Sequence, residues 1–501
     1  MRVWMVLSLL GFLSACKKNY QLSTVEQPVL YSVEQINERV YAACREKGKM
    51  EWSAVDAHLL WSAIAHSDSI VAVGYQPRYF QSYPGWLSEI DLSGSAWRHA
   101  KEQVVAETLS GGGRLMDIWP ERFLPVLLFR ISGIADLNRL RHSPFVRYVE
   151  PLSYDPNLGS LVNQTESSSG CGSNTPNWDI RSGVHYTNIA PDAKQSWNYI
   201  PPGIPQAWNR SSGKGIKVFV IDTGCSWGQE NLGVTFNSGA SAGRSLERIV
   251  TLPQNTVLGI PVGLPESSHD GCGHGTSMAG VVGAPRGVDG NAVGIAYNCD
   301  LITCRAASDV FLDEPRELKG VVDAFTHAAN RREVRIISMS MGRITSSSYL
   351  TDAIRYAHGK GKLIFAAAGT SFQWTAGWTG VIFPASLPEV QAVTGVKSTA
   401  ALVACKVCHK GPEVDFVVTM ENSTDGMYPL SLADAGDWPS TVGGSSVATA
   451  SMAGMAALVW SRFPRLSRDQ VLSQLQRHSS SYPRRSLSFG WGRLNVDAAT
   501  R

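Results

Sequence analysis

The stretch Ile216-Lys217-Val218-Phe219-Val220-Ile221-Asp222-Thr223-Gly224 decides how this chain is read. Its first six residues are β-branched or aromatic except for Lys217, which favours a strand. They do not alternate polar with apolar, so both faces of that strand should be covered, as in a parallel sheet flanked by helices. The run stops at an acid followed by a Thr-Gly turn. In open parallel sheets the carboxyl ends of strands hold the functional groups, which puts Asp222 where chemistry is expected.

The same texture recurs downstream in LITCRA (Leu301–Ala306), VRIISMS (Val334–Ser340), LIFAAA (Leu363–Ala368), VQAVTGV (Val390–Val396) and VDFVV (Val414–Val418). Helical stretches lie between them, among them Glu314–Arg332 and Ser347–Lys360. The alternation predicts an α/β domain with a doubly wound, mainly parallel sheet over residues 201–501. Upstream, residues 68–154 read strand, helix, strand, helix, strand, ending in FVRYVEP (Phe145–Pro151). That order is ferredoxin-like α+β. Residues 155–200 are rich in Ser, Asn, Gly and Pro and read as a linker, and residues 16–67 as a polar, partly helical approach segment without assignable chemistry.

The totals exclude some functions. The 501 residues are 44% hydrophobic and 17% charged with a net charge of +3, and no basic stripe is present, so a nucleic-acid partner is not expected. At the start, Arg2 precedes an apolar run, Val3–Leu13, too short to cross a bilayer as a helix. It ends in Leu13-Ser14-Ala15-Cys16, which resembles the bacterial lipoprotein signal. That resemblance implies removal of residues 1–15, a lipid on Cys16, and an exported chain anchored to a membrane of the bacterial cell envelope. Without the lipid, the same run would be an ordinary signal peptide with an incidental cysteine.

Three local patterns carry an acid, an imidazole and a hydroxyl. Asp222 ends the first strand; CGHGTSMAGVVGA (Cys272–Ala284) puts His274 at the start of a helix of small residues; GGSSVATASMAGMAALVW (Gly443–Trp460) puts Ser446 at the start of another. Nucleophilic acyl transfer needs these groups: the hydroxyl attacks, the imidazole moves its proton, and the acid fixes the imidazole. Each pattern alone is weak. Asp-Thr-Gly also marks aspartic proteases, but their carboxylate dyad needs a second copy, and none is present. Together, in the order Asp, His, Ser, the patterns resemble those of the subtilisin-like serine proteases. GHGTSMAG departs from the family's motif at Ser277, where a second histidine is usual. GSSVATASMAG departs at Ser445, for threonine, and at Ala450, for proline. VGIAYNCDLITCRA (Val293–Ala306) and FGWGRLNVDAA (Phe489–Ala499) resemble further family segments. The likeness runs from about Ser211 to the C-terminus, and residues 68–154 resemble the family's inhibitory propeptide.

The resemblance implies a serine endopeptidase made as a self-inhibited precursor, with Asp222, His274 and Ser446 as the triad. Ser446 rather than Ser445 is the nucleophile because only then does Ala448 fall at the family's alanine. It implies a peptide or protein substrate, no cofactor for the chemistry, and a monomer; no acidic loop is specific enough to claim calcium. The family's strand matching Leu363–Ala368 ends before an asparagine that donates to the oxyanion hole, and here Thr370 stands in that place. Ser340-Met341-Gly342 and Ala367-Ala368-Gly369 match the walls of the pocket for the residue before the scissile bond, and substrate would add as a strand to the first. Small, uncharged walls imply an apolar side chain there, with Arg343 close enough to alter the preference. Family spacing puts self-processing at Leu158-Gly159. The alternative reading is a tethered subtilase-fold protein that binds peptides with little or no catalysis.

Nine cysteines less Cys16 leave eight, and in an exported chain these are disulfide candidates. If the triad assembles, Cys225 and Cys272 come together, and they are the expected pair. Cys299 with Cys304 is open. CKVCH (Cys405–His409) matches a haem-attachment motif, but no axial partner is evident, so a local disulfide or a reduced pair is expected; zinc would lack two ligands.

Overall fold

The computed structural model describes residues 28–116, 119–154, 156, 171, 174–257, 260–312, 314–370 and 380–501. Cys16, Leu158 and Gly159 lie outside the described residues.

The N-terminal unit starts upstream of residue 68. Helix α1 (Val33–Lys47) begins at Ser32 in a reciprocal capping box with Gln35. Helix α2 (Ala57–Ala65) begins at Asp56, whose carboxylate accepts from two backbone N–H groups. Strand β1 (Ile70–Tyr75) follows, then α3 (Ser95–Ser110), β2 (Arg114–Leu115), β3 (Val126–Arg130), α4 (Ile134–His142) and β4 (Val146–Pro151). The sheet order is β2-β3-β1-β4, with β1 antiparallel to both β3 and β4. This is the ferredoxin-like arrangement, completed by the two-residue β2. Leu59, Leu60 and Ile64 of α2 are buried in the same apolar cluster as β1 and α4. The approach segment is therefore folded into this unit.

The expected linker also divides differently. Residues Tyr186–Ile189 (β5) and Ala193–Ser196 (β6) form a hairpin on the larger body. Ser196 Oγ accepts from the Leu430 N–H, and the Asn177 N–H donates to the Pro439 carbonyl.

The larger body holds β7 (Lys217–Asp222), β8 (Leu246–Val250), α5 (His274–Gly283), β9 (Asp300–Arg305), α6 (Pro315–Asn330), β10 (Val334–Met339), α7 (Ser348–Gly359), β11 (Leu363–Ala367), β12 (Gln391–Lys397), β13 (Val414–Glu421) and α8 (Gly444–Arg462). The sheet order is β13-β12-β11-β10-β7-β9-β8, and every pairing is parallel. Helices α5 and α8 belong to one apolar cluster, α6 and α7 to the other. This is the doubly wound sheet expected. Every foreseen strand is present; β8 was not foreseen, because LERIV is a half-buried edge strand with two charges. Helix α8 is made of small residues and packs closely: a Cβ on Gly454 would lie 2.9 Å from Ile295, in the segment between α5 and β9.

The N-terminal unit packs on α6 and α7 in one continuous apolar cluster. Glu150 of β4 is 2% exposed and accepts from the Ser348 and Tyr349 N–H groups and the Ser347 hydroxyl. A buried carboxylate thus satisfies the orphan donors at the start of α7. Beside it, Arg147 grips Asp352 of α7 at 2.6 and 3.3 Å, and the Tyr148 hydroxyl donates to Asp352 at 3.0 Å. Glu121 is buried against Lys319, 3.2 Å away, and accepts from the Tyr349 hydroxyl.

Candidate active site

Asp222 is the last residue of β7, and His274 the first of α5. His274 Nδ1 lies 2.7 Å from Asp222 Oδ1, with both side chains buried. An ionised carboxylate only accepts, so Nδ1 carries the proton and Nε2 is left as the base. The Thr223 N–H also donates to Asp222 Oδ1, at 2.9 Å. Burial opposes a charge on His274, but the Asp222 carboxylate and its hydrogen bond outweigh it, with Asp270 and Asp309 adding to the effect. The imidazole is held above its ordinary value near 6.5.

One supporting residue escaped the sequence reading. Asp270, 4% exposed, accepts from the Cys272, Gly273 and Thr276 N–H groups and from the Thr276 and Thr223 hydroxyls. It fixes the turn that presents His274. An acid just before a helix start was the available signal.

Ser446 is the third residue of α8, half-buried. Its hydroxyl donates to the Ser340 carbonyl at 3.3 Å, and Ser340 Oγ returns a bond to the Ser446 carbonyl at 3.0 Å. The hydroxyl thus rests on Ser340 rather than on His274 Nε2; catalytic hydrogen bonds often tighten only when substrate is bound. Ser445 has a different task. Its hydroxyl accepts from the Gly369 N–H at 3.2 Å and lies 2.8 Å from Thr370 Oγ1, while its N–H donates to Thr370 Oγ1 at 3.0 Å. Ser445 is 1% exposed, whereas Thr370 is exposed. Ser445 thus holds Thr370 Oγ1 twice, through its N–H and through a hydroxyl–hydroxyl hydrogen bond in which either oxygen can donate. The close approach requires Gly444, at φ 81°, where a Cβ would lie 2.8 Å from Thr370 Oγ1.

Ser340, Met341, Gly342, Ala367, Ala368 and Gly369 are all buried at the ends of the adjacent strands β10 and β11. The Gly342 N–H and carbonyl are already bonded to the Val310 carbonyl and the Leu312 N–H, each at 3.2 Å. An added strand at Gly342 must part those bonds. Arg343 turns away from this wall: it is 2% exposed and donates to the Tyr154 carbonyl of the N-terminal unit at 2.9 Å.

The expected Cys225–Cys272 pair is corrected. Cys272 is bonded to Cys171, and Cys225 is a free buried thiol. Cys225 sits in the apolar cluster with Leu232 and Met278, and burial pushes its thiol up to about 11. Cys405 and Cys408 form a disulfide, and Cys299 and Cys304 are free buried thiols. Among the described residues, no group of three His, Cys, Asp or Glu side chains is arranged to hold a metal, and no helix is long and apolar enough to cross a membrane.

The profile of the subtilase family matches residues 213–492. The chain belongs to the subtilase family. It is therefore a serine-type endopeptidase, with peptides or proteins as the substrate class. Among its curated relatives, a subtilisin of Bacillus sp. (strain TA39) is 27% identical over 302 residues, 55% of this chain and 65% of that one. Subtilisin BL of Lederbergia lenta is 28% identical over 306 residues, 61% of this chain and 98% of that one. An alkaline protease of Alkalihalobacillus alcalophilus is 28% identical over 306 residues, covering 61% and 70%.

Proposed function

We propose that this subtilase hydrolyses peptide bonds through Asp222, His274 and Ser446 and is made as a self-inhibited precursor. The observation that carries the reading is the buried 2.7 Å pair of Asp222 and His274 at the carboxyl end of the sheet. Ser446 Oγ attacks the carbonyl carbon while His274 Nε2 takes its proton; the proton then passes to the leaving amine, and water repeats the cycle on the acyl-enzyme. The Ser446 N–H and the exposed Thr370 hydroxyl stabilise the oxyanion. Small walls at Ala367–Gly369 favour an apolar residue before the scissile bond. The N-terminal unit serves as the propeptide, and its tail beyond Tyr154 delivers Leu158-Gly159 for self-cleavage. A lipid on Cys16 would tether the exported chain to a membrane.

Intact mass of the chain expressed without residues 1–15 tests this reading. Loss of the N-terminal unit in wild type but not in Ser446→Ala supports it; an uncut wild type, or equal cutting of both, refutes it.

Two pH effects follow. The base works when neutral, and its raised pKa means that protons leave only at higher pH. The kcat/KM of processed enzyme should therefore rise along a limb whose midpoint lies above 6.5. Asp222→Asn should move that limb to lower pH. A wild-type limb below 6.5 would contradict the assignment.

The second effect concerns release. Burial pushes Glu121 up to about 7, opposed by Lys319 and reinforced by Asp323. Its neutral form is favoured at the interface, so this contribution is complete below its ordinary value near 4.5 and is lost as pH rises through about 7. Melting of the uncut Ser446→Ala chain should fall over that window, and Glu121→Gln should flatten the fall. An unchanged slope in Glu121→Gln would mean that Glu121 does not set this pH dependence.

A further inference from the structure

We infer that His409, backed by the Cys405–Cys408 hairpin, is a positioning residue for the Gly369–Thr370 corner. The inference rests on reading Thr370 as an oxyanion donor.

His409 is 2% exposed. Its backbone N–H donates to the Gly369 carbonyl at 3.0 Å. Its ring Nδ1 lies 2.9 Å from the Gly380 carbonyl, and a carbonyl only accepts, so Nδ1 carries the proton. Its own carbonyl accepts from the Thr394 hydroxyl of β12. One residue thus holds Gly369 and Gly380, which stand on either side of residues 371–379 in the sequence. Gly369 has φ 123°, and a Cβ there would collide with the His409 ring. The ring fills the space that glycine leaves, so the two residues fix each other.

The hairpin supplies the backing. Thr370 forms an antiparallel bridge with Cys408, and the Cys405 N–H donates to the Gly395 carbonyl of β12 at 3.0 Å. The Lys406 N–H donates to Glu421 of β13 at 2.7 Å. The disulfide closes this turn against the sheet. A contiguous path therefore runs from His409 through Gly369 and Thr370 to Ser445, the residue before the proposed nucleophile. Burial lowers His409 to about 4, so it stays neutral while His274 titrates and does not contribute to that limb. The CKVCH segment thereby gains a role that needs neither haem nor zinc.

The test compares kcat and KM of processed enzyme carrying His409→Leu, His409→Asn, Thr370→Val, and Thr370→Val with His409→Leu. Misplacement of a catalytic group by about 1 Å can cost up to about 10²-fold, so His409→Leu should lower kcat by about 10- to 100-fold, with KM changed less than about two-fold. Asparagine keeps a donor near the Nδ1 position, and His409→Asn should recover most of the rate. The double variant should be no slower than Thr370→Val alone, because both act on one donor.

Full kcat in His409→Leu beside a slow Thr370→Val would overturn the inference and leave Thr370 as the donor. Full kcat in Thr370→Val would overturn the donor reading, and the inference with it. Losses that multiply, with no recovery in His409→Asn, would mean general destabilisation and would also overturn it. If His409→Leu does not fold, His409→Gln replaces it, since its amide falls near Nε2 instead. Asparagine should then exceed glutamine by about 10-fold in kcat, and equal rates would overturn the inference.

Discussion

Ser446→Ala should lower turnover about 10⁶-fold and leave the chain uncut. The size is the one established for subtilisin itself, where losing the serine alone costs about as much as losing the whole triad. The reason is physical: without the hydroxyl there is no nucleophile for His274 to activate, and the acyl-enzyme route closes. The oxyanion donors would remain, so a residual rate of about 10³ over water should persist. Ser445→Ala should behave differently. It removes the buried hydroxyl bonded to Thr370 Oγ1, loosening the corner without removing the nucleophile. Activity assays on both proteins check the ordering: a Ser445→Ala protein as dead as Ser446→Ala would move the nucleophile by one residue.

Asp352→Ala should give the second-largest effect, and on inhibition rather than chemistry. Asp352 holds Arg147 through two bonds and accepts a third from Tyr148. Removing it takes the countercharge from a half-buried guanidinium, which keeps the Tyr75 and Pro125 carbonyls, and truncating one partner of such a pair costs about 2–5 kcal/mol. That corresponds to a dissociation constant weakened by at least about 30-fold for the cleaved N-terminal unit. The measurement is the lag before full activity after self-cleavage, which should shorten by a similar factor. Arg147→Ala strands the buried Asp352 carboxylate in turn, leaving it the Tyr148 hydroxyl, so it should shorten the lag as well. An unchanged lag in Asp352→Ala would mean that this contact does not govern release.

Much of this was legible because local pattern and tertiary role agree. Ile216–Ile221 is apolar on both faces because it is a central strand, and a central strand ending in an acid places that acid at the site. His274 and Ser446 could be located because each opens a helix whose small residues must lie close to the sheet. What the sequence hid depends on direction. Cys225 and Cys272 are near neighbours of Asp222 and His274, yet Cys225 points into the apolar cluster while Cys272 reaches the segment after the N-terminal unit. Proximity in sequence to two groups that meet does not make two side chains face each other. Helix α2 escaped notice because nine residues give little periodicity, and its partners lie in a different segment of the chain. The hydrogen bonds of Ser445, Asp270 and His409 are tertiary contacts that no spacing rule announces. The expectation that substrate adds as a strand to Ser340–Gly342 said nothing of Val310–Leu312, which bonds to Gly342 from a distant part of the sequence.

A covalent probe tests whether Ser446 is the nucleophile. Processed enzyme should be treated with a fluorophosphonate, which reacts with an activated serine, and its peptides mapped by mass spectrometry. One adduct is expected, on Ser446, formed far more slowly in Asp222→Asn because His274 is then no longer held as a base. An adduct on Ser445, or none on a preparation that cleaves peptides, would contradict it.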